Sequence, residues 1–437
     1  MYETWMSKKE APMLGLVGMG GGVASLMWHE AGVSYETGYL FGSGPNARRW
    51  HSDAPFPTTR KSSPVQIGND NNWIFFSSGG NGDHKMALNS NKEMRFWCAN
   101  ASGCWGNNQS TPSNTDNYIP SGYTLAGPWI SVTTGHDQTF GIKDDGSLWG
   151  WGENNRGSLG LNQPENTYKS SPTQIGTNTN WQCIKAGGSS SNSSTIAIKT
   201  DGTLWTWGRN TMGMLGLNQQ ENYGPSPFPN ASSPCQVGTD TNWGTSDTSI
   251  DIFNERALAN ISGQGFLALK QDNSLWSWGY RGAGQLGLNH GPSNASRSSP
   301  TRVGTDSNWA RIGANCQSGD TFVYGIKQDN TMWMWGNNGY GILGQNNRTN
   351  RSSPTQIPGS WKIDGCLTGG GKAHMGAVKT DGTFWSWGYA YMGGLGLNYG
   401  NYPSIYAVSS PARMGNTSDW IWGAGSKEYQ GIFLQKG

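Results

Sequence analysis

The sequence predicts an all-β fold, a seven-bladed β-propeller made of four-stranded blades. A nine-residue segment recurs five times, a tryptophan anchor recurs seven times, and the two chain ends each carry half of one repeat unit. Self-similarity at a regular spacing is the signature of a repeat architecture. The five copies are DDGSLWGWG (144–152), TDGTLWTWG (200–208), QDNSLWSWG (271–279), QDNTMWMWG (328–336) and TDGTFWSWG (380–388).

Each repeat unit contains the pattern of a β-hairpin. Trp205 and Trp207 are two positions apart, so a strand directs both indoles to one face. Asp201-Gly202 just before them is a tight-turn signal that joins residues 195–199 to the tryptophan strand. One hairpin cannot bury such aromatic faces alone, whereas stacked neighbours can.

The rest of the unit supplies the other blade strands. After the hairpin come a G-x-L-G-L-N turn, a loop of variable length, an S-S-P-x-Q-[IV]-G segment and a closing N-W. The second unit is degenerate. It lacks Ser-Ser-Pro, and we expect residues 96–100 to occupy the positions that L-W-x-W-G takes in the other units. The closing tryptophans are Trp73, Trp129, Trp181, Trp243, Trp309, Trp361 and Trp420.

The chain ends predict how the ring closes. Residues 431–437 match the first half of the hairpin, and residues 40–44 match the missing second half. Pairing of 432–434 with 40–43 would therefore remove the open sheet edges.

Composition excludes several classes of function. Charged residues make up 13% of the 437, while the chain contains 66 glycines and 23 tryptophans, as suits an ordered all-β protein with many turns. The net charge of +2 provides no basic field, so a nucleic-acid partner is not expected.

No catalytic, cofactor or metal residue is predicted. The six histidines show no H-x-x-x-H or H-E-x-x-H spacing, and no nucleophile elbow occurs. The sequence shows no paired carboxylates of the kind that a glycan-active enzyme needs. The six cysteines match neither a zinc site nor a disulfide scaffold and are expected to be buried thiols, with a Cys98–Cys104 bridge left open.

The D-G-T-L-W-x-W-G, G-x-L-G-L-N and S-S-P-x-Q-[IV]-G elements resemble the regulator of chromosome condensation (RCC) repeat in its bacterial and phage form. The resemblance covers about residues 35–437 and implies a propeller with a protein-binding face. It does not imply the family's nuclear exchange-factor role, because residues 1–34 have only Lys8 and Lys9 as basic side chains. His374 occupies a histidine position of the family and is interpreted as structural.

Residues 1–34 are predicted to be a separate glycine-rich, apolar arm, and 35–437 the propeller. Residues 11–28 contain no charge, so their length also allows a membrane span or an export signal. Five glycines weaken a helix there, and we expect no membrane span but an arm that lies between partner subunits. Its contact residues are predicted to be Leu14, Leu16, Val17, Met19, Leu26, Met27 and Trp28.

The opening of the arm, K-x-A-P-x-x-G-L-x-G-x-G-G-G, is similar to the starts of marine bacteriophage tail and fibre proteins. This similarity implies a non-enzymatic virion protein within a larger symmetric assembly, attached to other virion proteins by the arm. The alternative is a secreted bacterial binding module, an inhibitor or adhesin, whose first residues are an export signal.

Loops of unequal length are the expected contact surface, for a host-surface protein or glycan. Repeat scaffolds vary in their loops, and aromatic side chains on a rigid frame are typical contact anchors. The predicted anchors are Tyr223, Phe228, Tyr399, Tyr402 and Tyr406.

Overall fold

The computed structural model describes most of the chain beyond residue 35. The described residues are 36–45, 60–78, 84–98, 100–110, 123–188, 193–218, 230–245, 255–280, 282–289, 296–315, 321–367, 374–390, 394–398, 407–426 and 430–437. The predicted arm lies outside them, so the domain boundary after residue 34 stays a prediction.

The described chain is built of β-strands. In chain order the strands are β1 (Gly38–Pro45), β2 (Arg60–Gln66), β3 (Trp73–Ser78), β4 (His84–Asn89), β5 (Met94–Cys98), β6 (Tyr123–Leu125), β7 (Trp129–Thr134), β8 (Gln138–Lys143), β9 (Leu148–Gly152), β10 (Lys169–Gln174), β11 (Trp181–Gly187), β12 (Ser194–Lys199), β13 (Leu204–Gly208), β14 (Ala231–Gln236), β15 (Leu258–Asn260), β16 (Gly265–Leu269), β17 (Leu275–Gly279), β18 (Arg297–Arg302), β19 (Trp309–Ala314), β20 (Phe322–Lys327), β21 (Met332–Gly336), β22 (Arg351–Ile357), β23 (Cys366–Leu367), β24 (His374–Val378), β25 (Phe384–Tyr389), β26 (Ala407–Arg413), β27 (Trp420–Ser426) and β28 (Gln430–Lys436). In the described part of the chain, no helix is long and apolar enough to cross a membrane.

The strands form sheets that consist mainly of consecutive antiparallel hairpins, while β23 pairs in parallel with β27. Strands β7–β10, β11–β14, β15–β18 and β19–β22 each make a four-stranded sheet, and β24–β26 make a three-stranded one. The remaining strands form a nine-stranded sheet in which β27-β28-β1-β2 and β3-β4-β5-β6 are joined through the single pair Gly38–Trp73. The all-β expectation is therefore confirmed.

The predicted tryptophan hairpin is present in the sheet β11–β14. Ile198 pairs with Leu204 across the turn, where Gly202 has φ of +74°. A Cβ atom at Gly202 would collide with the carbonyl oxygen of Thr241, so the turn requires glycine. Both indoles face Trp181, whose ring centroid lies 6.1 Å from Trp205 and 6.2 Å from Trp207.

The two chain ends pair as predicted. Strand β28 lies between β27 and β1, with Phe433 opposite Phe41 and Leu434 opposite Leu40. The C-terminal strand thus supplies the neighbour that the first strand needs, and neither of these edges is left unpaired.

A backbone hydrogen bond joins successive sheets at the L-G-L-N turn. The last asparagine of this turn has a positive φ, which asparagine tolerates better than most residues, and its amide donates to a serine carbonyl in the next Ser-Ser-Pro segment. The last of these bonds runs from Asn398 to Ser62, at 2.8 Å, and links the end of the chain to its beginning. The pairs are Asn108–Ser170, Asn162–Ser232, Asn218–Ser298, Asn289–Ser352, Asn346–Ser409 and Asn398–Ser62.

The second tryptophan of the hairpin is buried between sheets. In four units its Nε1 donates to a main-chain carbonyl in the G-x-L-G turn of the preceding unit. Burying a side chain of this size stabilises the fold by roughly 2–3 kcal/mol. The four pairs are Trp151 with Cys104, Trp207 with Ser158, Trp335 with Gln285 and Trp387 with Ile342.

The degenerate second unit has a different register from the one expected. Met94 pairs with Leu88, as Leu204 pairs with Ile198, so L-W-x-W-G corresponds to β5 and not to residues 96–100. Trp97 takes the place of the second tryptophan. Cys104 is buried, and the Cys98–Cys104 bridge stays open because the side chain of Cys98 lies outside the described part of the chain.

Candidate functional site

None of the predicted contact residues lies in the described part of the chain. The arm residues Leu14, Leu16, Val17, Met19, Leu26, Met27 and Trp28, and the loop aromatics Tyr223, Phe228, Tyr399, Tyr402 and Tyr406, fall outside it. These interpretations stay predictions, and the candidate site below rests on residues that the sequence analysis did not single out.

A lysine held between two indoles recurs in five sheets. The Nζ of Lys199 lies 4.8 Å from the ring centroid of Trp181 and 4.0 Å from that of Trp205. An ammonium over an aromatic face contributes about 0.5–2 kcal/mol, depending on its desolvation. We call each set a lysine clamp; the five lysines are Lys143, Lys199, Lys270, Lys327 and Lys379.

The turn acid before the clamp fixes the first indole. The Oδ1 of Asp201 accepts from the amide and the hydroxyl of Thr203, and that hydroxyl accepts from Nε1 of Trp205 at 2.8 Å. The hydrogen bond from Thr203 lowers the pKa of Asp201. The same chain of bonds occurs at Asp145, Asp272, Asp329 and Asp381, as expected for acids whose role is turn geometry.

The sheet formed by the chain ends contains two aromatic rings placed as in a lysine clamp, but none of the described lysines lies between them. We call these two rings, Phe41 and Trp420, the aromatic corner. Phe41 faces Gln66 as Trp205 faces Gln236, and Gln435 pairs with Trp420 as Lys199 pairs with Trp181. Phe41 and Trp420 meet edge to face, with centroids 5.7 Å apart. The two rings therefore stand as in a clamp, while glutamine replaces the cation.

An open cavity of about 380 Å³ lies at this corner. We call it the seam pocket; its lining includes Phe41, Pro64, Leu397, Met414, Trp420 and Gln435. Phenylalanine is smaller than the tryptophan found at this place in five other units and has no Nε1 donor. The seam pocket thus arises where the repeat departs from its own pattern.

Polar groups at the rim define the electrostatics of the seam pocket. Gln435 Nε2 donates to both carboxylate oxygens of Asp419, at 2.9 and 3.0 Å. Arg413 also lines the pocket, but its guanidinium donates to the carbonyl of Asn416 at 3.1 Å. Asp419 is thus the carboxylate bound by Gln435, the residue that takes the place of the clamp lysine.

A second polar cluster joins three neighbouring sheets. Asp364 Oδ1 lies 2.8 Å from Arg256 Nε and 2.9 Å from a terminal nitrogen of Arg311. Burial would raise the pKa of Asp364, but the two guanidinium groups outweigh it and lower that pKa. With both arginines paired to one carboxylate, the cluster is interpreted as a structural cross-link.

Among the residues that the structure describes, one group of side chains could hold a metal ion. Ligating atoms of His136, Asp137 and Glu153 lie within 4.8 Å of one another, although the sequence predicted no metal site. Asp137 and Glu153 are 16 positions apart, so they form no short sequence motif that could predict the site. The pairing of β8 with β9 brings them together.

Comparison with known proteins identifies the repeat. The regulator of chromosome condensation (RCC1) repeat matches residues 145–192, 201–243 and 329–363. The mitochondrial RCC1 domain-containing protein RUG3 of Arabidopsis thaliana is 26% identical over 260 residues, which are 59% of this chain and 53% of RUG3. The human E3 ubiquitin-protein ligase HERC2 is 25% identical over 60% of this chain, but only 5% of HERC2 is covered. The chain thus spans about half of one of these relatives and a small part of the other.

Solved structures share the fold at low identity. Human WBSCR16 superposes with a TM-score of 0.69 and 16% identity over 91% of this chain and 100% of its own. Prp20p from Saccharomyces cerevisiae gives a TM-score of 0.69 and 18% identity over 93% of each chain. Together with the repeat matches, these likenesses support an RCC-type repeat β-propeller. The bacterial and phage form of the repeat stays an expectation.

Proposed function

We propose that this chain is a non-enzymatic protein-binding scaffold that holds a basic side chain of a partner protein in the seam pocket. The observation that carries the proposal is the aromatic corner of Phe41 and Trp420, which lacks the lysine found in five other units. The structural neighbour Prp20p binds Gsp1p and histones, which also favours a protein partner for this chain.

The scaffold is proposed to have seven blades. The nine-stranded sheet contributes two of them, β27-β28-β1-β2 and β3–β6, and the four separate four-stranded sheets contribute one each. The bridge between Trp361 and Lys379 supplies an inner pairing for β24–β26, which completes the seventh.

A lysine or arginine of the partner fits the seam pocket better than a purely apolar group. Its aliphatic stem would cover Leu397 and Met414, and its charge would lie over the two rings and near the Asp419 carboxylate. Such a contact is worth about 0.5–2 kcal/mol, so it selects a side chain, and neighbouring surface must supply the rest of the affinity.

Peptide selection with a matched variant tests this function. Random peptides are selected for binding to the wild-type protein and then measured on the Phe41→Trp/Gln435→Lys double variant, which rebuilds a complete lysine clamp. We expect the selected peptides to share a lysine or arginine and to bind the double variant about tenfold or more weakly. A Tyr168→Ala variant, altered at an exposed ring away from the pocket, serves as the control and should bind like wild type.

Two results would contradict the proposal. Selected peptides that bind the double variant as tightly as wild type would place binding elsewhere on the propeller. The second result is a set of selected peptides that are enriched in aromatic residues and bind the double variant more weakly than wild type. That result would support binding in the seam pocket but refute a basic side chain as its occupant.

A virion is the proposed setting of this scaffold, on the strength of the arm sequence alone. The uncharged glycine-rich segment 11–28 favours attachment to other virion proteins in a symmetric assembly, with the propeller presented to a host-surface protein or glycan. Deletion of residues 1–34 is expected to leave folding intact and to abolish incorporation into particles. Incorporation of the deleted chain would refute the arm's role. The mass of the native N-terminus distinguishes the secreted alternative, because cleavage near Ala31 would indicate export.

A further inference from the structure

The strongest unassigned feature is the group His136, Asp137 and Glu153 at one end of the sheet β7–β10. His136 and Asp137 form the turn between β7 and β8, and Glu153 follows β9. The turn is closed by a bond from the amide of Gly135 to the carbonyl of Gln138, and the amide of Glu153 donates to the carbonyl of Asp137. Backbone hydrogen bonds therefore hold the main chain of the turn next to that of Glu153.

We propose that His136, Asp137 and Glu153 bind one divalent transition-metal ion of the Zn²⁺ type. His136 Nδ1 lies 3.2 Å from Asp137 Oδ2 and 3.4 Å from Glu153 Oε2. Two ligand atoms that are each about 2.1 Å from one metal ion are separated by about 3.0–3.4 Å, depending on the angle between them. Both separations from His136 Nδ1 are therefore compatible with one shared ion.

The buried atoms of the group lack directed hydrogen bonds. Glu153 is only 7% exposed, and neither its Oε2 nor Nδ1 of His136 makes a contact with hydrogen-bond geometry, although the two face each other. Glu153 Oε1 accepts from the Asn155 amide, which orients the carboxylate. The 3.4 Å separation from His136 Nδ1 is long for a hydrogen bond, and a bound cation would satisfy this buried carboxylate oxygen more directly.

Charge and ligand type select the ion. A neutral imidazole with two carboxylates has a net charge of −2, which a divalent cation balances. Imidazole nitrogen suits zinc and its neighbours, whereas calcium and magnesium prefer oxygen ligands. Three protein ligands leave the remaining coordination positions to water.

A proton is the competitor for this site. Burial would lower the pKa of His136, but the carboxylates of Asp137 and Glu153 outweigh it and raise that pKa to about 9. Metal binding requires the imidazole nitrogen without its proton, so a proton and the ion compete for Nδ1 of His136. The neighbouring His84 is fully buried, and burial lowers its pKa to about 4, so it adds no competing positive charge.

Competition with a chromophoric zinc chelator measures the proposed site on the full chain. The wild-type protein is expected to take up one equivalent of Zn²⁺, and Glu153→Gln and His136→Ala to bind it at least about tenfold more weakly. Asp145→Asn, which alters a turn carboxylate of the same sheet outside the group, is the matched control and should bind like wild type. Equal binding by wild type and Glu153→Gln, or no uptake by wild type, would overturn the proposal.

A second measurement needs no substitution, in case the variants fold poorly. Zn²⁺ should slow the modification of His136 by diethyl pyrocarbonate, read by peptide mass spectrometry, while Mg²⁺ at the same concentration should not. Equal protection by both ions, or by neither, would refute a transition-metal site at this position.

Discussion

The indole Nε1 of Trp207 donates to the main-chain carbonyl of Ser158, 3.0 Å away in the preceding repeat unit. The bond joins β13 to the turn after β9, so it ties two sheets that are also linked by the backbone bond from Asn162 to Ser232. The same relationship recurs in four units, and it explains why the repeat needs a second tryptophan and not simply a large apolar residue.

Trp207→Phe should destabilise the protein more than Trp278→Phe. Both indoles are fully buried and both substitutions remove the same volume, but Nε1 of Trp278 has no hydrogen-bond partner among the described residues. The difference in the free energy of unfolding, measured in urea, should be about 1 kcal/mol, the net value of one buried hydrogen bond. Equal losses would show that the bond to Ser158 contributes nothing beyond packing.

Rebuilding the lysine clamp at the seam should stabilise the protein. The Phe41→Trp/Gln435→Lys double variant fills part of the cavity of about 380 Å³ and adds an ammonium over two rings. We expect the free energy of unfolding to rise by about 1 kcal/mol and the melting temperature to rise with it. The converse pair, Trp205→Phe/Lys199→Gln, should lower both by a similar amount. A fall in stability of the rebuilt variant would show that the corner cannot accept the larger ring.

Removing β28 should unfold the propeller. A chain without residues 430–437 exposes the facing edges of β27 and β1, and it loses the contacts of Phe433 and Leu434. We expect loss of cooperative unfolding by circular dichroism, and its partial recovery when a synthetic peptide of residues 430–437 is added. A truncated chain that melts like wild type would refute ring closure by this strand.

Acid should weaken the fold through the turn carboxylates. The hydroxyl of the serine or threonine two residues later lowers the pKa of each of these acids from its usual 3.8. A carboxyl group with a lower pKa in the folded state stabilises the fold above its unfolded pKa. That contribution is lost as the pH falls below 3.8 and through the folded pKa. The five acids are Asp145, Asp201, Asp272, Asp329 and Asp381.

Asparagine at three of these turns tests this origin of the acid sensitivity. Asp201→Asn/Asp272→Asn/Asp381→Asn keeps an oxygen acceptor in each turn but removes the titrating group. We expect urea unfolding of this variant to depend less on pH below about 4 than that of wild type, with little change near neutrality. An unchanged acid profile would assign the loss of stability to other groups.

The sequence alone determined the repeat hairpin and the pairing of the chain ends. Leu40 and Leu434 could be matched because side chains along a strand alternate with a period of two. In addition, each segment retains the residues of its own half of the repeat hairpin. The sequence also contains a signal for the lysine clamp, because a lysine lies two positions before each turn acid. The register predicted for the second unit is wrong by two residues, because Arg95 and Cys98 replace the tryptophan and glycine that mark the strand.

Only the tertiary structure decided the sites. The seam pocket depends on Phe41 and Trp420, which come from opposite ends of the chain, and on the space that phenylalanine leaves beside the preceding sheet. The group around His136 depends on β8 and β9 placing Asp137 beside Glu153. Hydrophobic periodicity specifies which face of a strand is buried, but it does not specify which polar atoms meet once distant strands pair, because that is set by ring closure and hairpin register.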